Sequence, residues 1–362
     1  MKEENKISNE MNPVRGREGS QRASASNGMK ILICTGIYPP DIGGPAKYAK
    51  NLKEEFEKRN FTVRVLAYKL EKKLPIGIRH LLYFFRVIAN LNKTDLIISL
   101  DTFSVSFPAV LATKIFKKKI IIRVGGDSLW ETYVEKTGDL ITLEEFYEHM
   151  PKLPFKHQMI YILQKFTLKN ASALAFNTEW QKDLFQKAYQ LDPGKLFIIE
   201  NYYGVKDEDI STKEKIFLFA GRKIKFKNLQ AIEEIFHELR REKIDIKLEI
   251  IDNLNQAQLG DKIRSSYALI VPSISDFAPN FIIEGISLNK PFILTQNCGL
   301  TEKLKDLGLF VDPFNKQDIK NKILMMSDDK VYPQFKENIR KFSYTHLWPE
   351  IAGEFLGIYK KL

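Results

Sequence analysis

Cysteine is nearly absent from this 362-residue chain: Cys34 and Cys298 are the full complement. They are far apart in sequence and form no metal-type or redox-type spacing, so free thiols in a reducing compartment are expected and disulfides are not. Histidine is sparse as well, with five residues. His149 and His157, the nearest pair, lack the spacing of a metal site. Long apolar runs are also missing. The strongest, "LLYFFRVIANL", is interrupted by Arg86 and falls short of the roughly eighteen apolar residues that span a bilayer. The first thirty residues lack the apolar core of an export signal, so neither a membrane span nor export is expected. The dinucleotide fingerprint G-x-G-x-x-G does not occur.

What is present suits a folded protein with more than one core. Hydrophobic residues make up 44% of the chain and aromatics 12%, and the length favours two domains. Residues 1–28 are the exception: polar, rich in Ser, Asn, Glu and Arg, and without apolar periodicity. They are expected to form a disordered extension, with Met29 the natural start. The net charge of +11 falls mostly on residues 29–205. Much of it lies in "RNFTVRVLAYKLEKKLPIGIRHLLYFFRVIANLNK" and "KIFKKK", where basic residues sit beside aromatic and aliphatic ones. Such a face suits anionic lipid or an acidic polymer, and it equally suits plain solvation. No nucleic-acid reading motif accompanies it, so nucleic acid is not an expected partner.

Short β-branched or apolar runs recur at residues 30–36, 61–68, 95–100, 119–124, 173–177 and 195–201. Helical patterns lie between them; in "PAKYAKNLKEEFEKRN", Tyr48, Leu52 and Phe56 repeat every fourth residue. Alternating strand and helix predicts an α/β chain with a parallel, doubly wound sheet. After the charged linker "GVKDEDISTKEK" the pattern restarts with "IFLFAG", "IKLEII", "ALIVPS", "PFILT" and "LGLFVD". The expected division is a first domain over 29–205 and a second over 206–342, with a cleft between the carboxyl ends of their strands.

Three loops carry candidate chemistry. Gly43 and Gly44 precede a helix, where backbone amides approach an anion unhindered by a Cβ; a tight turn with Pro45 at the first helical position explains the same letters. Arg222 and Lys227 follow the first strand of the second half and suit a diphosphate whose charge grows as a bond to it breaks, or are simply solvated. In "SISDFAPNFIIEGISLNKPFIL", Ser275 or Asp276 is expected to cap a helix with Pro279 near its first turn and Glu284 inside it. Either the two acids and the helix amides meet one ligand, or Asp276 only caps and Glu284 lies on the surface. Asp127 and Arg123 stand at a strand end, where they serve an acceptor or, for Asp127, cap the next helix. The acidic run Asp207 to Asp209 is read as solvated charge.

These stretches together resemble the retaining glycosyltransferases of family 4, whose two Rossmann-like domains form the GT-B fold. The resemblance covers nearly all of the chain after Met29. It rests on "YPPDIGG", on "FAGRKIKFKN" in place of the family's "GR…KG", on the eight-position spacing of Asp276 and Glu284, and on "NCGLTEKLKDLGLFVDP". The tail "FSYTHLWPEIAGEFLGIYKKL", residues 343–362, resembles the family's closing helix, which crosses back onto the first domain. The sequence departs from the pattern in three places. Asp276 stands where the family usually has Glu, the stretch before "ALIVPS" is short, and no His follows the fourth strand of the first domain.

The resemblance implies transfer of a sugar from a nucleotide-diphosphate donor to a lipid-linked or polysaccharide acceptor, with retained configuration and no metal or other cofactor. It implies that Arg222 and Lys227 stabilise the departing diphosphate, that Asp276 contacts the donor sugar, and that Glu284 holds the ribose hydroxyls. The backbone of Ala278, Pro279, Asn280 and Phe281, with Gly43 and Gly44 opposite, would line the diphosphate. A cytoplasmic location is expected from the free thiols and the missing export signal, and peripheral attachment to an anionic inner membrane face from the basic, aromatic-rich stretches. Two other readings keep the fold: a nucleotide-sugar epimerase or hydrolase, and a non-catalytic protein that binds a sugar nucleotide.

Overall fold

The computed structural model describes residues 28–362 except Ser211, Lys213 and Asn253. The expectation for the N-terminal extension falls almost wholly outside the described residues. The eleven expected strands form two sheets. The first contains β1 (Lys30–Thr35), β2 (Thr62–Ala67), β3 (Leu96–Ser99), β4 (Lys119–Val124), β5 (Ala173–Phe176) and β6 (Leu196–Ile198). The second contains β7 (Ile216–Ala220), β8 (Lys247–Ile251), β9 (Ala268–Val271), β10 (Phe292–Thr295) and β11 (Leu309–Val311). Every pairing is parallel.

The central strands are buried from end to end, as in "LIIS", "ALIV" and "FILT". Continuous apolar strands of this kind need a layer of helices on both faces, which explains why the chain alternates strand and helix. The orders are β2-β1-β3-β4-β5-β6 and β11-β10-β9-β7-β8. Both sheets reverse direction beside their first strand, between β1 and β3 and between β7 and β9. Open parallel sheets bind ligands in the crevice outside the carboxyl ends at such a switch point.

Apolar contacts hold the two domains together. Phe226 and Phe277 of the second domain join the core of the first; the ring of Phe226 lies 5.0 Å from that of Trp130, and Phe277 packs near Trp180 and Phe185. The last helix, Trp348–Lys361, buries Ile351, Ala352, Phe355 and Ile358. They share a core cluster with Leu52 and Phe56 of the helix Gly44–Lys58. The C-terminus is therefore fastened to the first domain.

Asp207 to Asp209 are exposed, as the reading of solvated charge has it, and two of the three also take part in surface ion pairs. Asp207 meets Arg264 at 2.6 Å, and Asp209 pairs with Lys336. The buried Lys290 also donates to the Ile210 carbonyl at 2.9 Å. These contacts stitch the linker to the second domain.

Candidate active site

Parallel strands deliver their following loops to one edge, and the two edges face each other. From the first domain comes the turn after β1. Gly43 has φ of 151°, and a Cβ there would stand 2.9 Å from the Ile37 side chain, so glycine is required. The helix Gly44–Lys58 begins at this turn without a side-chain cap. From the second domain comes the helix Asn280–Ser287, preceded by Pro279 and also without a side-chain cap. A Cβ on Gly44 would lie 3.9 Å from Asn280 Nδ2. Two positive helix ends thus meet across the cleft, each with amides free of side-chain acceptors.

The expectation that Ser275 or Asp276 caps this helix is not met. Ser275 Oγ instead accepts the Leu143 amide of the first domain at 2.9 Å. Asp276 turns toward the loop after β7, where its carboxylate receives Lys227 Nζ at 2.7 Å. Both side chains are spent on tertiary contacts, so the amides at the helix start, including those of Ala278, Asn280 and Phe281, are left to the cleft.

Arg222 follows β7 and is largely exposed; its guanidinium reaches Glu131 of the first domain at 3.5 Å. Glu131, one turn into the helix Ser128–Thr137, is the acid that faces both Arg222 and Lys227 from across the cleft. Its carboxyl is raised above the ordinary value, first because the half-buried group is partly desolvated and then because Asp127 and Asp276 lie nearby. Arg222 and Lys227 act in the opposite sense. The sequence carried a signal for this residue: Glu131 is four positions after Asp127, on a helix that starts at the cleft end of β4.

Asp127 itself is displaced from the site. It has no exposed surface, caps the helix through Leu129 N at 3.0 Å, and accepts from Gln164 at 3.0 Å and from the Tyr147 hydroxyl. Burial raises its carboxyl, an effect these hydrogen bonds oppose. A carboxylate engaged on both oxygens inside the first domain is turned away from the cleft, which bears out the reading of Asp127 as a helix cap and corrects the one in which it serves the acceptor as a catalytic group. Arg123 is likewise buried and bonded to Asn201 at 2.8 Å.

Glu284 stands further along the cleft. Lys47 of the first domain reaches Glu284 Oε1 at 2.5 Å, and Gln256 donates to Oε2 at 3.1 Å. Here the cleft opens into a cavity of about 670 Å³, whose lining includes Lys47, Tyr202, Gln256, Gly260 and Glu284. The named residues therefore form two groups along one cleft. Arg222, Lys227, Asp276 and Glu131 stand at one end and Glu284 with Lys47 at the other, with the facing helix ends of Gly44 and Asn280 in the crevice. Among the described residues, no three His, Cys, Asp or Glu side chains gather as a metal-binding group.

Two Rossmann-like parallel-sheet domains that face each other across a cleft and are closed by a C-terminal helix form the GT-B architecture. The relatives fit this class. An uncharacterized glycosyltransferase from Methanocaldococcus jannaschii is 23% identical over 370 residues, covering 92% of this chain and 99% of that one. The sucrose-phosphate synthase of Thermosynechococcus elongatus superposes with a TM-score of 0.67 at 12% identity, over 92% of this chain and 98% of its own. WaaG, a glycosyltransferase involved in lipopolysaccharide biosynthesis, superposes with a TM-score of 0.62 at 12% identity, over 91% and 99%. The UDP-GlcNAc 2-epimerase of Neisseria meningitidis gives 0.57 at 12% identity, over 92% and 100%. No family model matches the chain.

Proposed function

We propose that the chain is a retaining glycosyltransferase of the family 4 type. In this reading it moves a sugar from a nucleotide-diphosphate donor to a lipid-linked or polysaccharide acceptor at the cytoplasmic face of a membrane. One observation carries the reading: Lys227, held by Asp276 at 2.7 Å, stands with Arg222 in the cleft onto which two uncapped helix ends open. A diphosphate between Gly44 and Asn280 meets backbone amides from both domains and cations at its sugar end. When the bond from the anomeric carbon to the phosphate oxygen breaks, negative charge grows on that oxygen, and fixed cations aimed at it lower the barrier. The acceptor oxygen bonds to the anomeric carbon on the same face, and its proton leaves with the phosphate. Lys227 and Arg222 fill the electrostatic role that a metal ion has elsewhere, so a metal-independent reaction is part of the proposal.

Glu284 accepts the ribose hydroxyls, and the nucleoside occupies the cavity beyond it. In this reading Asp276 touches the donor sugar while it steers Lys227, a role its pairing with Lys227 supports. The test is incubation with a panel of nucleotide sugars, with and without membrane lipid extract or polysaccharide. Release of nucleoside diphosphate that requires the acceptor, persists in EDTA, and falls about a hundredfold in Lys227→Ala supports the proposal. Acceptor-independent turnover points to an epimerase or hydrolase instead, and binding without turnover to a non-catalytic protein.

A further inference from the structure

Three helices cover one face of the first sheet: Ile76–Leu91, Ser106–Ile115 and Phe155–Asn170. They form one layer, since the Phe107 ring lies 5.8 Å from His80 on one side and 6.0 Å from Phe166 on the other. Their outer surface is unusual for a protein that faces only water. The helix Phe155–Asn170 carries apolar residues on both sides: Ile160 and Leu168 are buried, yet others face solvent. It buries the polar His157, Gln164 and Thr167 and exposes Phe155, Met159 and Ile162, with Phe155 79% accessible. The helix Ile76–Leu91 buries His80, Tyr83, Val87 and Leu91, and on its opposite side exposes Ile78, Leu81, Leu82 and Phe85. The middle helix ends with Ile115 and Phe116 exposed as well.

Charge follows the same layer. Residues 72–94, 102–126 and 149–178 together contain fourteen Lys and Arg and no Asp or Glu. Most of the bordering acids are engaged: Glu71 is paired with Arg86, Asp95 accepts the Lys30 amide, Asp101 accepts the amides of Val105 and Ser106, and Glu179 is paired with Lys182, while Glu148 is exposed at the end of the layer. Lys73, Lys152 and Lys156 are exposed beside the apolar rows. An exposed apolar row flanked by an excess of lysines over acids matches a surface that is apolar inside and anionic at its boundary. A second protein surface would meet the apolar residues but leave the lysines without partners unless it were acidic.

We infer that this layer is a membrane-docking face: Phe155, Met159, Ile162 and the Ile78–Phe85 row enter the headgroup region of an anionic bilayer, and the lysines contact its phosphates. The site rests on the proposed function only for its purpose, not for its existence. Both apolar helices start at the carboxyl edge of the sheet, because each connects parallel strands and runs back from that edge. Ile76 and Phe155 therefore stand at the cleft end of the layer, so a docked protein presents its cleft mouth at the bilayer surface. A lipid-linked acceptor would then reach the cleft without leaving the membrane.

The test is sedimentation of the full chain with vesicles of phosphatidylcholine alone or with phosphatidylglycerol added. The wild-type protein should sediment with the anionic vesicles only, and less so as salt rises. Phe85→Ser/Phe155→Ser, both at exposed positions and checked by circular dichroism, should lose this binding. Lys152→Ala/Lys156→Ala should weaken it by about fivefold for each lysine removed. Neither double variant should change acceptor-independent donor binding, measured in parallel. Absence of wild-type binding to anionic vesicles, or equal binding by the wild-type chain and the Phe85/Phe155 variant, would overturn the inference. So would a wild-type dimer in sedimentation velocity that the same variant turns into a monomer, because a second copy would then cover the face. Vesicle binding by a chain that turns over no nucleotide sugar leaves the docking face standing and removes the transferase reading alone.

Discussion

Lys47 Nζ lies 2.5 Å from Glu284 Oε1, and this ion pair joins the two domains across the cleft. Glu284 is the group proposed to hold the donor's ribose, so in the free protein its site is already filled by a side chain of the other domain. Donor binding must exchange Lys47 for hydroxyls.

The exchange has a measurable consequence of opposite sign at the two residues. The pair is partly exposed, with Lys47 38% accessible, and such pairs are worth up to about 1 kcal/mol. Lys47→Met should therefore tighten donor binding by no more than about fivefold in titration calorimetry. Glu284→Ala should weaken it by about ten- to a hundredfold, the loss of hydrogen bonds to a charged group. Weaker binding in Lys47→Met would mean that the lysine holds the donor and does not compete with it.

Glu131 places a negative charge beside the cations that the diphosphate needs. Its carboxyl is raised by burial, so it protonates at higher pH than an ordinary glutamate. As pH falls through that raised value the charge is lost and the cations are released. Donor affinity should then increase toward acid, by about tenfold for one removed like charge at an effective dielectric near 20. Glu131→Gln should bind tightly throughout and show no such slope. A wild-type affinity that is flat with pH, or a slope that persists in the variant, would contradict this placement.

Asp127 shows how far the sequence could be read. A Gly-Gly-Asp at the end of a strand has the composition of both a cap and a site, and letters alone do not say which way the carboxylate turns. That choice was made by Gln164 and Tyr147, which come from two later helices and meet Asp127 only in the folded domain. Asp127→Ala should cost stability, about 1–3 kcal/mol from orphaned buried partners, read as a shift in the urea midpoint. The folded fraction should keep turnover within about tenfold of wild type. A stable variant that is inactive would restore Asp127 to the chemistry.

The strands were legible because complete burial leaves runs such as "LIIS" and "ALIV" little freedom of composition. The doubly wound order was legible because those runs alternate with amphipathic helices. The glycine turn at Gly43 and the cations Arg222 and Lys227 were visible as residue types at strand ends. Asp276 was expected as a cap and is instead the partner of Lys227. An ion pair with a loop 49 residues away leaves no local trace. Glu131 left only the signal of its place one turn into a helix at the cleft end of β4, because Arg222 and Lys227, the cations it faces, belong to the other domain.

His346 gives a pH test of the closure between the domains. Its ring lies 3.3 Å from Glu354 and 3.1 Å from the Asn201 carbonyl. Burial disfavours its charge, but the Glu354 carboxylate and the Asn201 carbonyl outweigh burial and hold the pKa above the ordinary histidine value. A raised folded-state pKa stabilises the fold fully below the unfolded value of about 6.5 and loses that contribution as pH rises through the folded value. Melting temperature should therefore decline from pH 6 toward pH 8, and the decline should be smaller in His346→Gln. An identical profile in the variant would show that the ring does not couple to the fold through its charge.

The central claim concerns where a diphosphate sits, and a crystal structure with the donor selected by the nucleotide-sugar panel tests it most directly. The account predicts the diphosphate between the amides of Gly44 and Asn280, within hydrogen-bond reach of Lys227, with the ribose on Glu284 and Lys47 swung away. A diphosphate bound elsewhere, with the Lys47–Glu284 pair intact and Lys227 still facing only Asp276, would contradict it.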